Sequence, residues 1–233
     1  MNLAPEGPMA IPCWVNGRAF LTVTEQFFDV IEPATGEAIR RVPLCGADEA
    51  ASAVTAAQEA SASWAARPAA ERAQLLTALA DALAGYSEHF AKLLRQETAL
   101  DEAAALAEVA TAVAALRSPT VDTVTGVVAL ISDAGQPLAG VARELAGLTL
   151  GGATLVVKPS PKVPGAIFAL CELTSRAAWP AGVVNVLQGD EAAIAGLCAA
   201  PVAEVRFVGG AELASKVGQM AQAQGKGFVA KAG

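Results

Sequence analysis

The sequence predicts an α/β protein built on an open parallel sheet of about five strands, with helices on both faces. Two observations carry that expectation. From Gly126 onward, the apolar runs "GVVALIS", "ATLVVK", "GVVNVL", "EVRFVG" and "GFVAKA" alternate with segments of helix length. Continuous apolar strands separated by helices imply right-handed βαβ crossovers and a sheet buried on both sides. The composition agrees: 54% of the 233 residues are hydrophobic and only 5% aromatic. An alanine-rich chain of this kind suits helices packed closely against a sheet.

Residues 1–13 carry Pro and Gly without periodicity and read as a flexible arm. The remainder, 14–233, reads as one domain in two parts, 14–118 and 126–233. Between Trp14 and Val42 short apolar segments are broken by "NGR" and "PATGE". Asn16-Gly17 and Thr35-Gly36 are turn signals, so this stretch predicts short antiparallel strands. Asp48 reads as the N-cap of a helix running to Ala66. A second helix spans Pro68 to Gly85, with Leu75, Leu76, Leu79 and Leu83 on one stripe. Residues 87–117 predict one or two more, and Pro119 ends the helical layer. Further helices are expected from about Leu138, Gly165, Asp190 and Ala211.

Charge and cysteine content exclude several classes. The net charge is −7, and the 16 Lys and Arg are scattered, so nucleic acid is not an expected partner. No stretch approaches the roughly 18 uninterrupted apolar residues of a membrane span, and the N-terminus lacks the pattern of a secretory signal. The expected location is cytoplasmic. Cys13, Cys45, Cys171 and Cys198 share no CxxC spacing, and the single His89 lies far from them in sequence, so neither a zinc site nor a disulfide framework is expected. Glu97, Asp101 and Glu102 read as a solvated helix face.

Ligands of open α/β sheets bind beyond the C-terminal ends of the strands. The strands here run into "DAGQP", "KPSP", "QGD" and "VGGAEL". The Gly209-Gly210 pair enters a helix whose N-terminal amides favour phosphate. Lys158 is placed to meet a ribose hydroxyl or a phosphate. Neither GxGxxG nor GxxxxGK[ST] is present.

Taken in order, "VNGR", "EPATGEAIRRVP", "WAARPAAERAQLL", "GGATLVVKPSP", "WPAGVVNVLQGD" and "VRFVGGAELASKVG" resemble the NAD(P)-binding half of the aldehyde dehydrogenase superfamily over residues 14–233. The resemblance implies a Rossmann-like domain. It also implies NAD or NADP as cofactor, held by Lys158, Ser160, Gly189, Phe207, Gly209 and Gly210. Family members oxidise aldehydes through a cysteine thiohemiacetal, with a general-base Glu and an oxyanion-hole Asn.

This sequence departs from that pattern. Gly135 stands at the Asn position, and the neighbouring Gln136 is expected to point elsewhere. Lys231, or Ala230 one residue earlier, stands at the Glu position. Pro161 replaces the acidic residue that follows the lysine, and Gly210 replaces a serine. The chain ends at Gly233 before the nucleophile's motif, so the catalytic domain is expected to be absent. With "SPTVDTVT" as the only connector, the oligomerisation hairpin is expected to be absent too. These departures predict a non-catalytic aldehyde dehydrogenase-like domain, a pseudoenzyme. It would meet a protein partner on the face that the family covers with its catalytic domain. The alternative is a residual NAD(P)-binding module or a fragment of an aldehyde-oxidising enzyme.

Overall fold

The computed structural model describes residues 7–24 and 26–231. Five strands form the expected parallel array: β5 (Val127–Ser132), β6 (Thr154–Lys158), β7 (Val184–Val186), β8 (Glu204–Val208) and β9 (Gly227–Lys231). Two N-terminal strands, β1 (Cys13–Val15) and β2 (Arg18–Phe20), extend it to seven strands in the order β2-β1-β7-β6-β5-β8-β9. The Asn16-Gly17 hairpin is therefore an antiparallel edge of the main sheet, with Trp14 opposite Val186. A separate ribbon pairs β3 (Phe27–Ile31) with β4 (Ala38–Pro43). Part of the expected arm is anchored to this ribbon: Ala10 bridges Arg41, and the Ile11 amide donates to the Arg41 carbonyl at 2.8 Å. Residues 1–6 lie outside the described residues.

Helices α1 (Ala47–Ala66), α2 (Ala69–Gly85), α3 (Ser87–Glu97) and α4 (Glu102–Arg117) precede the parallel strands. Helices α5 (Ala139–Gly151), α6 (Gly165–Arg176), α7 (Glu191–Ala199) and α8 (Ala211–Ala223) alternate with them. The strand period of two divides the core. Val128, Leu130, Leu155 and Val157 face a layer containing α2, α4, α5 and α6. Val127, Ala129, Ile131, Val156 and Phe207 face the layer of α1, α7 and α8. Near the sheet, Trp64 stacks on Trp179 with centroids 5.2 Å apart, and its indole N–H donates to the Thr149 carbonyl at 3.0 Å.

Two expectations about carboxylates are corrected. Asp48 is not the N-cap of α1. That position is Gly46, whose amide donates to the Glu49 carboxylate at 2.9 Å, and Asp48 sits in the first turn. Glu97 is not solvated: it is 5% exposed and points inward from the last turn of α3.

The connector between α4 and β5 lies across α5. The Asp122 amide donates to the Gly147 carbonyl at 3.1 Å, and a Cβ on Gly151 would stand 1.6 Å from the Asp122 carbonyl oxygen. Two glycines one turn apart thus open the groove in which the connector runs. Asp122 then joins Glu144 and Glu204 around the buried guanidinium of Arg206, at 2.5, 3.0 and 2.6 Å.

Candidate functional site: a cleft at the C-terminal edge of the sheet

The parallel strands all end on one side, and a cleft of about 650 Å³ opens there between the loops after β5, β6 and β8 and the starts of α7 and α8. Lys158, the last residue of β6, is 2% exposed yet lines this cleft. Burial lowers its pKa to about 8, with Asp190 across the cleft acting in the opposite direction. Ser160 and Pro161 follow on the same wall. The Ser160 hydroxyl oxygen accepts from the Lys162 amide at 3.3 Å, so its first task is to shape the turn into α6.

Of the six residues expected to hold a cofactor, Lys158, Ser160 and Gly210 line the cleft, and Gly189, Phe207 and Gly209 do not. Phe207 is fully buried against the α1 side of the sheet, because alternation along β8 turns it into the core. Gly189 packs against the backbone of Cys45, where an added Cβ would come within 3.0 Å of the Cys45 nitrogen. Gly209 donates its amide to the Lys231 carbonyl at 3.1 Å.

Asp133 explains why the Gly209-Gly210 turn is not free to receive phosphate. One carboxylate oxygen accepts the Gly210 amide at the N-terminus of α8 at 2.6 Å, and the other accepts the Gly135 amide at 2.9 Å. The approach is so close that a Cβ on Gly209, at φ +150, would lie 2.3 Å from the carboxylate. An aspartate is thus lodged where the helix dipole and the free amides favour an anion. The ribose side of the cleft keeps its lysine, and on the phosphate side the Gly210 amide already meets a carboxylate. As folded, the Gly210 amide is not free for a pyrophosphate oxygen unless the Asp133 carboxylate moves.

The neighbouring helices show the same arrangement. The Ala139 amide opening α5 donates to Glu108 at 2.8 Å, and the Gly165 amide opening α6 donates to Glu97 at 2.8 Å. The Ala192 amide in the first turn of α7 donates to Asp190 at 3.1 Å. Sequence reasoning missed Asp133, Glu97 and Glu108 because each caps a helix distant from it in sequence.

Gly135 is exposed in the turn after β5 and offers only backbone to the cleft. The Gln136 side chain folds away against Gly140 of α5. Lys231 closes β9 at an exposed edge. Among the described residues no group of three or more His, Cys, Asp or Glu is placed to hold a metal ion, and no helix is long and apolar enough to cross a membrane.

A parallel sheet with a crevice at its C-terminal edge and a buried lysine at the end of a central strand defines a dinucleotide-type α/β domain. The model of the aldehyde dehydrogenase family matches residues 20–120 and 117–233, and the chain belongs to that family. It is 32% identical over 190 residues to the non-phosphorylating aspartate-semialdehyde dehydrogenase of Halomonas elongata, a match covering 72% of this chain and 38% of that protein. It is 29% identical over 223 residues to the NADP(+) succinate-semialdehyde dehydrogenase of Escherichia coli, covering 85% of this chain and 46% of the relative. Among solved structures, the succinate-semialdehyde dehydrogenase of Burkholderia pseudomallei superposes with a TM-score of 0.86 at 28% identity, over 94% of this chain and 50% of that one. The chain spans about half the length of the relatives it matches.

Proposed function

We propose that this chain is a non-catalytic aldehyde dehydrogenase-family domain that serves as a cytoplasmic structural or regulatory partner of another enzyme. The observation that carries this reading is Asp133. Acyl chemistry at the sheet edge needs donors free to stabilise a developing oxyanion. Here the Gly135 amide, at the oxyanion position, is engaged by the Asp133 carboxylate, which would repel such a charge. Gly135 supplies no side-chain donor, and neither Ala230 nor Lys231 offers a carboxylate to activate water.

The surface that suits a partner is the outer edge of β9 with the adjoining face of α8. Ser215, Gln219, Gln222, Phe228 and Ala230 line a groove of about 580 Å³ there. Among the described residues β9 has no neighbour on its outer side, and such an edge presents backbone groups to another chain. A second reading, a residual NAD(P)-binding module, is favoured by Lys158, whose buried stem directs its amine into the cleft.

The test has two arms. Purified protein with NAD or NADP and succinate semialdehyde or lactaldehyde is expected to form no NAD(P)H above the enzyme-free rate, and turnover would refute the non-catalytic reading. In the native cell, the tagged chain is expected to carry a stoichiometric enzyme partner that the Ser215→Glu/Gln222→Glu variant loses. Retention of that partner by the variant would remove the β9–α8 edge from the proposal.

A further inference from the structure

Cys13 and Cys45 are 32 residues apart in sequence, and in the fold their sulfurs lie 3.5 Å apart. We propose that these two thiols form a reversible intramolecular disulfide, an oxidation site that ties β1 to the loop entering α1. The pair sits at a junction of three segments. Cys13 belongs to β1, Cys45 immediately precedes the Gly46 cap of α1, and the Gln188 amide of the loop after β7 donates to the Cys13 sulfur at 3.4 Å. Both side chains are 1% exposed. A cavity of about 270 Å³, lined by Cys13, Asn16, Arg18, Glu49 and Leu187, reaches the Cys13 side and admits a small oxidant.

The environment divides the roles. The hydrogen bond shared with Cys45 holds the Cys13 thiol below its ordinary value, with help from the Gln188 amide and against burial. The same hydrogen bond, reinforced by burial, pushes Cys45 up. The cavity reaches Cys13 and not Cys45, so Cys13 meets the oxidant first as the attacking thiolate and Cys45 is the resolving thiol. With hydrogen peroxide as oxidant, the Cys13 thiolate attacks one peroxide oxygen and the O–O bond breaks. Hydroxide leaves, takes up the proton that Cys13 gave up, and becomes water, leaving a sulfenic acid on Cys13. The Cys45 sulfur then attacks Cys13 Sγ as the S–O bond breaks, and the departing hydroxide takes the Cys45 proton. Two thiols lose two electrons in all, and one peroxide becomes two waters.

Cys171 and Cys198 provide internal controls. They are buried in α6 and α7, and burial pushes both thiols up.

The experiment exposes the reduced, full chain to hydrogen peroxide and follows it by intact mass, thiol titration and peptide mapping. Titratable thiols are expected to fall from the 4 of the sequence by two, with a mass loss of about 2 Da, a single Cys13–Cys45 linked peptide, and reversal by dithiothreitol. The melting temperature is expected to rise on the order of 10 °C, as closing a loop of this length implies. Cys13→Ser and Cys45→Ser should each abolish the linked peptide and the rise. The proposal is overturned if folded wild-type protein keeps both thiols, accumulates only oxygen adducts, or links through Cys171, Cys198 or a second molecule. Should the serine variants fail to fold, the wild-type peptide map alone decides.

Discussion

At the scale of single residues, Glu97 sets a measurable pH dependence. Burial raises its pKa to about 7, against the hydrogen bond from the Gly165 amide and the charge of Arg40. Its second oxygen, Oε1, is buried without a hydrogen-bond partner among the described residues. Because the folded-state pKa exceeds the ordinary 4.5, the folded protein retains a proton that the unfolded chain has released between those values. Stability therefore falls as pH rises from about 4.5 to about 7, by on the order of 3 kcal/mol, and the loss is complete above that window. Glu97→Gln keeps an acceptor for Gly165 and cannot ionise. Urea unfolding at pH 5 and pH 8 should show the variant gaining on wild type as pH rises, and parallel pH curves for the two proteins would refute the assignment. None of this was legible in the sequence. Glu97 has the spacing of a surface helix residue, and it is buried because Gly165, far along the chain, leaves room for it at the start of α6.

At the scale of elements, the sequence was far more informative. The parallel strands and the helices after them appear where the apolar runs and breaks place them, since burial on both faces imposes a pattern that local sequence carries. What it did not show is how elements meet. The β1–β2 hairpin was readable as a hairpin, but its pairing with β7 depends on residues some 170 positions away. The connector over α5 is a similar case. Gly147 and Gly151 carry no obvious signal, yet the carbonyl of Thr120 lies 2.5 Å from where a Cβ on Gly147 would be, and that of Asp122 is closer still to Gly151. Gly151→Ala should force the connector off α5, disturb the Asp122–Arg206 ion pair, and lower stability by roughly 1–3 kcal/mol. Gly85→Ala meets open space at the end of α2 and should be neutral or stabilising by about 0.4–1 kcal/mol. Denaturation midpoints in the order Gly85→Ala, wild type, Gly151→Ala would support this packing; equal midpoints for wild type and Gly151→Ala would exclude it.

At the scale of the whole molecule, the helix N-termini facing the cleft's side of the sheet share one property: α5, α6, α7 and α8 each have a first-turn or cap amide bonded to a carboxylate of this chain. Carboxylates thus stand at the edge where this fold ordinarily receives phosphate, in a chain of net charge −7. Two of these caps, Glu97 and Glu108, lie outside the cleft, whereas Asp133 and Asp190 line it with Lys158, and Asp133 is the one that holds two amides there. Removing Asp133 should therefore release the Gly135 and Gly210 amides without damaging the core. With millimolar NAD or NADP, wild-type protein is expected to show a melting shift below about 1 °C, whereas Asp133→Ala should shift by several degrees. Ligand at about a hundred times its Kd adds roughly 2.7 kcal/mol, equivalent to about 5–10 °C in a domain of this size. The double variant Asp133→Ala/Lys158→Ala should lose that shift, because Lys158 is the buried cation at the end of β6 on the ribose side. An equal shift for wild type and Asp133→Ala would mean that the carboxylate yields to the cofactor. The chain would then be a dinucleotide-binding module in its present form.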